Sequence, residues 1–244
     1  MPLLPVEKAK TLILAGVKPL PAEIVALSDA HTRVLARDLK AKRDQPPFPA
    51  SAMDGYAVHS TDTEIPGKQL KVIGISAAGS EFRRSMGRGE TVRIFTGAPV
   101  PRGADAVLIQ ENAVADGNSI TTKASVGPGQ HVRSRALDFK KGELLLRAGR
   151  LLTARDIGIA ASINYPKLPV RKKPIVAIIA TGDELVEPGG RPRRDQIISS
   201  NSLALAAFIG WAGAVPQIVG TVRDNQYQLR AAIRRARKAD ILIT

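Results

Sequence analysis

Residues Pro46-Pro47-Phe48-Pro49-Ala50-Ser51-Ala52-Met53-Asp54-Gly55-Tyr56-Ala57 carry one acid into a glycine turn behind a proline-stiffened run. Pro46 and Pro47 restrict φ and push the residues before them toward extended backbone, while Gly55 admits conformations that a Cβ forbids. An acid on so stiff a loop is presented as a fixed carboxylate. Asp-Gly also makes ordinary turns, and Tyr56 can anchor one in a core, so a structural reading of Asp54 stands beside the chemical one. Two further groups of acids follow apolar runs: Asp183-Glu184 in Thr181-Gly182-Asp183-Glu184-Leu185, and Asp224 in Arg223-Asp224-Asn225. Carboxylates there can bind a divalent cation, or they can cap turns and helices. His31, His59 and His131 lack metal-ligand spacing, and the absence of cysteine removes disulfides, thiolate metal sites and cysteine nucleophiles.

The elements that must position these groups change character along the chain. Residues 6–14 and 22–39 have helical spacing, with Asp29 and His31 marking an interruption in the second. From about residue 45 to 142, short alternating or β-branched runs such as Lys71-Val72-Ile73-Gly74-Ile75 lie between Gly and Pro turns and predict a compact β-rich domain. Leu151-Leu152-Thr153-Ala154-Arg155-Asp156 then reads as a strand edge leading into a Thr-capped helix. Beyond Pro166, Pro169 and Pro174, the run Ile175-Val176-Ala177-Ile178-Ile179-Ala180 is a strand buried on both faces. Helix 202–211, strand 215–222, helix 226–238 and strand 240–243 complete a βαβαβ series with a parallel sheet. The fold class is therefore α/β plus a β-rich domain. Three domains are expected: 1–44 joined with 141–170 as a discontinuous helical and linking domain, 45–140 as the β-rich domain, and 171–244 as the first half of an α/β domain. In open parallel sheets ligands gather at the carboxyl ends of strands, where Glu184 and Asp224 fall. The last strand ends at Thr244 with no following loop, which reads as an incomplete domain.

The chain has 244 residues, 44% of them hydrophobic, so it belongs with globular proteins rather than disordered ones. Its start, from Met1 to Pro5, lacks the basic region of an export signal, and the apolar run 12–17 is too short to span a bilayer. Residues 196–222 carry no charge, but Ser199, Asn201, Gly213, Pro216 and Gln217 suit a helix, turn and buried strand better than lipid. No membrane contact and a cytoplasmic location are expected. A net charge of +14 attracts polyanions, phosphorylated small molecules among them. With 4% aromatic residues and no basic-aromatic interleaving, specific nucleic-acid binding is not expected.

The proline and glycine block around Asp54 is accompanied by Arg93-Ile94-Phe95-Thr96-Gly97-Ala98-Pro99-Val100-Pro101 and Gly103-Ala104-Asp105-Ala106-Val107. Asp138-Phe139-Lys140-Lys141-Gly142, Ala180-Thr181-Gly182-Asp183-Glu184-Leu185 and Ser200-Asn201-Ser202 follow in order. Together they resemble the molybdopterin molybdenumtransferases, the MoeA family that includes the C-terminal part of gephyrin. The resemblance covers essentially the whole chain but only the N-terminal part of a family chain. It implies molybdenum cofactor biosynthesis: insertion of molybdate into adenylylated molybdopterin with release of AMP, dependent on Mg2+. It also implies a homodimer, with molybdopterin adenylyltransferase as the upstream partner.

By motif position the resemblance implies catalytic roles for Asp54, Thr96, Glu184 and Asp224. Asp54 and Thr96 of one subunit would meet Glu184 and Asp224 of the other. Glu184 is expected as a magnesium or metal-water ligand or local base, and Asp224 as a second acid and metal ligand in the same crevice. Thr96 also has a plain reading as a turn hydroxyl ahead of Gly97. Asp138, Arg133, Ser200 and Asn201 are expected to bind substrate; Arg133 and Arg135 suit attraction of phosphate, and equally a plain reading as solvated arginines on the β-rich domain. The family commonly has Gly-Glu-Asp where this chain has Ala136-Leu137-Asp138, so the acid is kept while the glycine turn is expected to be lost, which leaves a structural reading of Asp138 beside the substrate-binding one. The family's Ser-Gly-Gly-x-Ser-x-Gly segment, with much of the pterin and molybdate pocket, would follow Thr244. The 244-residue chain alone is therefore expected to have little or no transferase activity. The competing class is a noncatalytic dimerising scaffold or regulator related to gephyrin.

Overall fold

The computed structural model describes residues 4–244. The first three residues, part of the stretch read above for an export signal, lie outside the described residues. The chain divides into two compact units, one formed by Leu39–Leu145 with Ser162–Asn164 and the other by Leu146–Ala161, Tyr165–Thr244 and the chain's start through Asp38.

The first of these units is built on a six-stranded mixed sheet, ordered Ala106–Ile109, Gly55–Val58, Glu90–Ile94, Gln69–Ser76, Ser119–Thr122, Ala113–Asp116. Gly55–Val58 is antiparallel to both neighbours, whereas Gln69–Ser76 and Glu90–Ile94 are parallel. Side chains alternate across a strand, and here both faces are covered. Tyr56 and Val58 pack with Leu70, Leu108 and Ile120, while Ala57 packs with Val92, Ile94 and Val107 on the other side. The strand that leaves the Asp54 turn is thus buried along its whole length.

In the other unit Val6–Ala15 is a helix, as its spacing predicts. The helix expected over 22–39 is not formed. Ala22–Ala26 is instead a strand antiparallel to Lys167–Arg171, followed by a single 3₁₀ turn at Leu27–Asp29. Its exposure alternates residue by residue, and pairing with a partner far along the chain overrides the helical spacing. Arg33 secures the pair by donating to the Arg171 carbonyl at 2.7 Å and to the Glu23 carboxylate. Helix Ala154–Ser162 follows directly on Thr153, the expected cap. Thr153 donates its N–H and hydroxyl to Asp156 Oδ2 at 2.9 and 2.8 Å, and the Asp156 N–H points back to the Thr153 hydroxyl at 3.4 Å. This is a capping box with aspartate in the glutamate position.

The α/β part of this unit follows the predicted series. Ile175–Thr181 lies between Val215–Val222 and Ile241–Ile243, parallel to both. Leu205 and Ile209 of helix Asn201–Trp211 pack on Val176 and Ile178, whereas Leu229 and Ala232 of helix Gln226–Arg235 pack on Ile179 and Val222. The apolar run read as helix, turn and strand has that structure, and no helix among the described residues is long and apolar enough to cross a membrane.

Candidate functional site

Asp54 and Thr96 meet. Thr96 donates both its backbone N–H and its hydroxyl to Asp54 Oδ1, each at 2.8 Å. Ser51, buried beneath, laces the two loops together: its N–H donates to Ala98 O at 2.9 Å, its carbonyl accepts from Gly97 N–H at 2.8 Å, and its hydroxyl donates to Met53 O at 2.6 Å. Gly97 turns at φ 81°, a left-handed conformation that suits glycine. Gly55 is required for a different reason, because a Cβ there would run into the Leu108 carbonyl of the paired strand. Asp54 remains exposed, with its own carbonyl held by Gln110 N–H at 3.1 Å. The Thr96 N–H, then the Thr96 hydroxyl and the nearby Arg93 charge, hold the Asp54 carboxyl below its ordinary pKa. The result is a solvent-facing, ionised carboxylate with one oxygen fixed and the other available.

At the carboxyl ends of Ile175–Thr181 and Ile241–Ile243 lies a cavity of about 310 Å³ lined by Thr181, Leu185, Ser200, Asn201, Ser202 and Thr244, among others. Ser200 and Asn201 reach it because Asn201 opens helix Asn201–Trp211. The short parallel pair Leu185–Val186 and Ile197–Ile198 closes one side. Glu184 and Asp224, expected in one crevice, are not among its lining residues. The Glu184 carboxylate lies over Gly182, whose φ of 149° and absent Cβ leave it room. Asp224 follows Val215–Val222 and stands exposed beside Asn225, whose side chain caps helix Gln226–Arg235 through the N–H groups of Tyr227 and Gln228.

Residues 4–164 match the family described as the MoeA N-terminal region, domains I and II. The chain belongs to the MoeA family. Residues 177–244 further match a probable molybdopterin binding domain. The molybdopterin molybdenumtransferase of Nostoc sp. is 38% identical over 228 residues, which cover 91% of this chain and 52% of the relative. That of Bacillus subtilis is 34% identical, covering 99% and 58%. A crystal structure of the molybdopterin biosynthesis MoeA protein from Pyrococcus horikoshii superposes with a TM-score of 0.90 at 32% identity, covering 99% of this chain and 66% of that one. The chain thus spans about half the length of the curated relatives it matches.

One departure from the MoeA pattern turns out otherwise than expected. Ala136 replaces the glycine commonly found in the family, yet the turn survives, because Ala136 itself adopts φ 60°. Ala136 N–H donates to Pro46 O and Asp138 N–H to Gln45 O, both at 2.9 Å, so the surrounding backbone imposes the conformation. Asp138 and Arg133 are exposed on this segment. Arg135, considered for phosphate, is engaged instead: its Nε and Nη2 both lie 2.6 Å from Asp44 Oδ2. Asp105 of the Gly103–Val107 block is structural, accepting from the Ser60 N–H and hydroxyl at 2.7 Å each.

A magnesium ion fits the donor set only in part. Among the described residues no three His, Cys, Asp or Glu side chains converge, so no ready-made protein cage exists. Glu184 and Asp224 are exposed carboxylates, the type of oxygen donor with which Mg2+ completes a shell of substrate phosphates and water. Sequence reading missed Arg93 and Gln110 beside Asp54. The available signal was the spacing of Arg93, near the end of strand Glu90–Ile94, and Phe95, two residues on and just past that strand.

Proposed function

We propose that this chain acts in molybdenum cofactor biosynthesis as part of a molybdopterin molybdenumtransferase, inserting molybdate into adenylylated molybdopterin and releasing AMP. The observation that carries the reading is the Asp54–Thr96 pair, in which two donors from one residue hold a single carboxylate oxygen and leave an exposed anion oriented. Support comes from the curated relatives' names and from the match to a probable molybdopterin binding domain. The cavity beside Ser200 and Asn201 supplies hydroxyl and amide groups at the strand ends where phosphorylated ligands collect in such sheets. Asp138 and Arg133 are assigned to substrate binding in the same reading.

Asp54 acts as a fixed acceptor for a proton or for a metal-bound water, and Thr96 keeps it ionised and aligned. Glu184 and Asp224 would hold magnesium, which when bound neutralises charge on the phosphate to be cleaved. The protein's net charge of +14 draws in the anionic substrates. The active protein is a homodimer in the cytoplasm, supplied by the adenylyltransferase that makes its substrate, with Asp54 and Thr96 acting together with the partner subunit's Glu184 and the partner subunit's Asp224.

The test is turnover of adenylylated molybdopterin with molybdate by this chain joined to the C-terminal part of a curated relative, since the 244 residues alone are expected to have little or no activity. Asp54→Asn and Glu184→Gln should each abolish AMP release, and a mixture of the two variants should regain part of it through mixed dimers. Wild-type turnover by Asp54→Asn would sink the proposal.

A further inference from the structure

We infer that Arg93 is a positioning residue that holds the Asp54 and Thr96 loops in register, an inference that deepens the functional reading above and rests on it for its catalytic meaning. Arg93 is paired with Tyr56 across the sheet, since Gly55–Val58 and Glu90–Ile94 align Tyr56 opposite Arg93. Its guanidinium lies over two rings at once, 4.9 Å from the centre of Tyr56 and 5.1 Å from that of Phe95. Its two terminal nitrogens are also used, one donating to Gly55 O at 3.3 Å and the other to Gln110 Oε1 at 2.6 Å.

Each of these contacts adjoins the pair it would position. Gly55 follows Asp54 in the chain, Phe95 precedes Thr96, and Gln110 donates its N–H to the Asp54 carbonyl. A single planar cation therefore joins three backbone segments around one carboxylate. A planar fork can stack on two rings and donate in two directions, which a lysine ammonium on a flexible stem does not reproduce. Gln110 is in turn steadied by Glu111, to which its Nε2 donates at 3.3 Å. Arg93 touches no site for the reacting atoms, so its action runs through Asp54 and Thr96.

The experiment is an NMR titration of the Asp54 side-chain carboxyl carbon together with the Thr96 amide, in the unsubstituted chain and in Arg93→Gln and Arg93→Lys. In Arg93→Gln the Asp54 midpoint should rise toward the ordinary aspartate value and the Thr96 amide should lose its downfield, pH-dependent shift. In Arg93→Lys the charge is kept, so the midpoint should return part of the way while the Thr96 amide stays displaced. If Arg93→Gln does not fold, Phe95→Leu removes one of the two stacked rings at an exposed position and should move both signals in the same direction. Unchanged Asp54 and Thr96 signals in a folded Arg93→Gln or Phe95→Leu chain would overturn the inference. Failure of the transferase reading would appear elsewhere, as absent AMP release by the unsubstituted chain joined to the C-terminal part of a relative, and would leave these titrations untouched.

Discussion

Thr96 and Asp54 stand 42 residues apart in the chain, yet the N–H and hydroxyl of the one converge on a single oxygen of the other, each at 2.8 Å. A carboxylate held this way is pinned at one oxygen and open at the other, which distinguishes it from an ordinary Asp-Gly turn.

Thr96→Val removes the hydroxyl donor but keeps the N–H and the side-chain volume. Asp54 should then titrate closer to the ordinary aspartate value of 3.8, from which the folded protein lowers it. Because Asp54 is exposed, thermal stability should hardly change. AMP release should fall by roughly tenfold, the rate equivalent of one hydrogen bond. Carboxyl-carbon titration and a turnover assay read the two effects separately.

Gly55→Ala places a methyl group against the Leu108 carbonyl at the start of a fully buried strand. The backbone of the sheet must shift to admit it, a cost of about 1–3 kcal/mol by analogy with overpacked cores. Urea denaturation should show a lower midpoint with an unchanged slope, and loss of the Asp54 geometry should accompany it.

Ala136→Gly should stabilise the chain. Alanine at φ 60° carries the left-handed penalty of about 1–2 kcal/mol, and glycine removes it at an entropic cost of roughly 0.5–1 kcal/mol. A rise of about 0.5–1 kcal/mol is expected in equilibrium unfolding, and a fall would show that another contact dictates this turn.

Acid should weaken the fold through Asp62 and Asp156, both nearly fully buried. Burial by itself would raise their pKa values. In Asp62 the Lys68 ammonium and the Gly89 N–H outweigh it, and in Asp156 Arg150 and Thr153 do, so both are lowered from 3.8. A carboxyl with a depressed folded pKa adds stability above its unfolded value and loses it as pH falls through the folded one. Unfolding free energy should therefore be flat from neutrality to about pH 4 on account of these groups and decline below it. Asp156→Ala should remove its share of this decline and cost about 1–2 kcal/mol at pH 7 through the lost helix cap.

Much of the fold is legible in the residues. The apolar run Ile175-Val176-Ala177-Ile178-Ile179-Ala180 predicts a doubly buried parallel strand, and it is one, because such a pattern suits no partly solvated element. The Thr153 cap is likewise local and survives intact. The helical spacing over 22–39 does not give a helix, because it is outweighed at Ala22–Ala26 by pairing with Lys167–Arg171, a partner more than a hundred residues away. Ala136 shows the converse: composition argued against a left-handed turn, and hydrogen bonds to Gln45 and Pro46 imposed it.

By itself the sequence determined the stiff acidic loop, the β-rich stretch and the alternating α/β stretch, since these are written in local backbone preference and periodicity, and its ordered blocks carried the resemblance to the family. Only the tertiary structure decided which groups meet. It set Thr96 on Asp54 and Arg93 among Tyr56, Phe95 and Gln110, and it lined a cavity with Ser200 and Asn201 but not with Glu184 or Asp224. The reason is register: a side chain's neighbours across a sheet depend on how distant strands align, and that alignment is fixed by burying both faces of the sheet together rather than by any short run of residues.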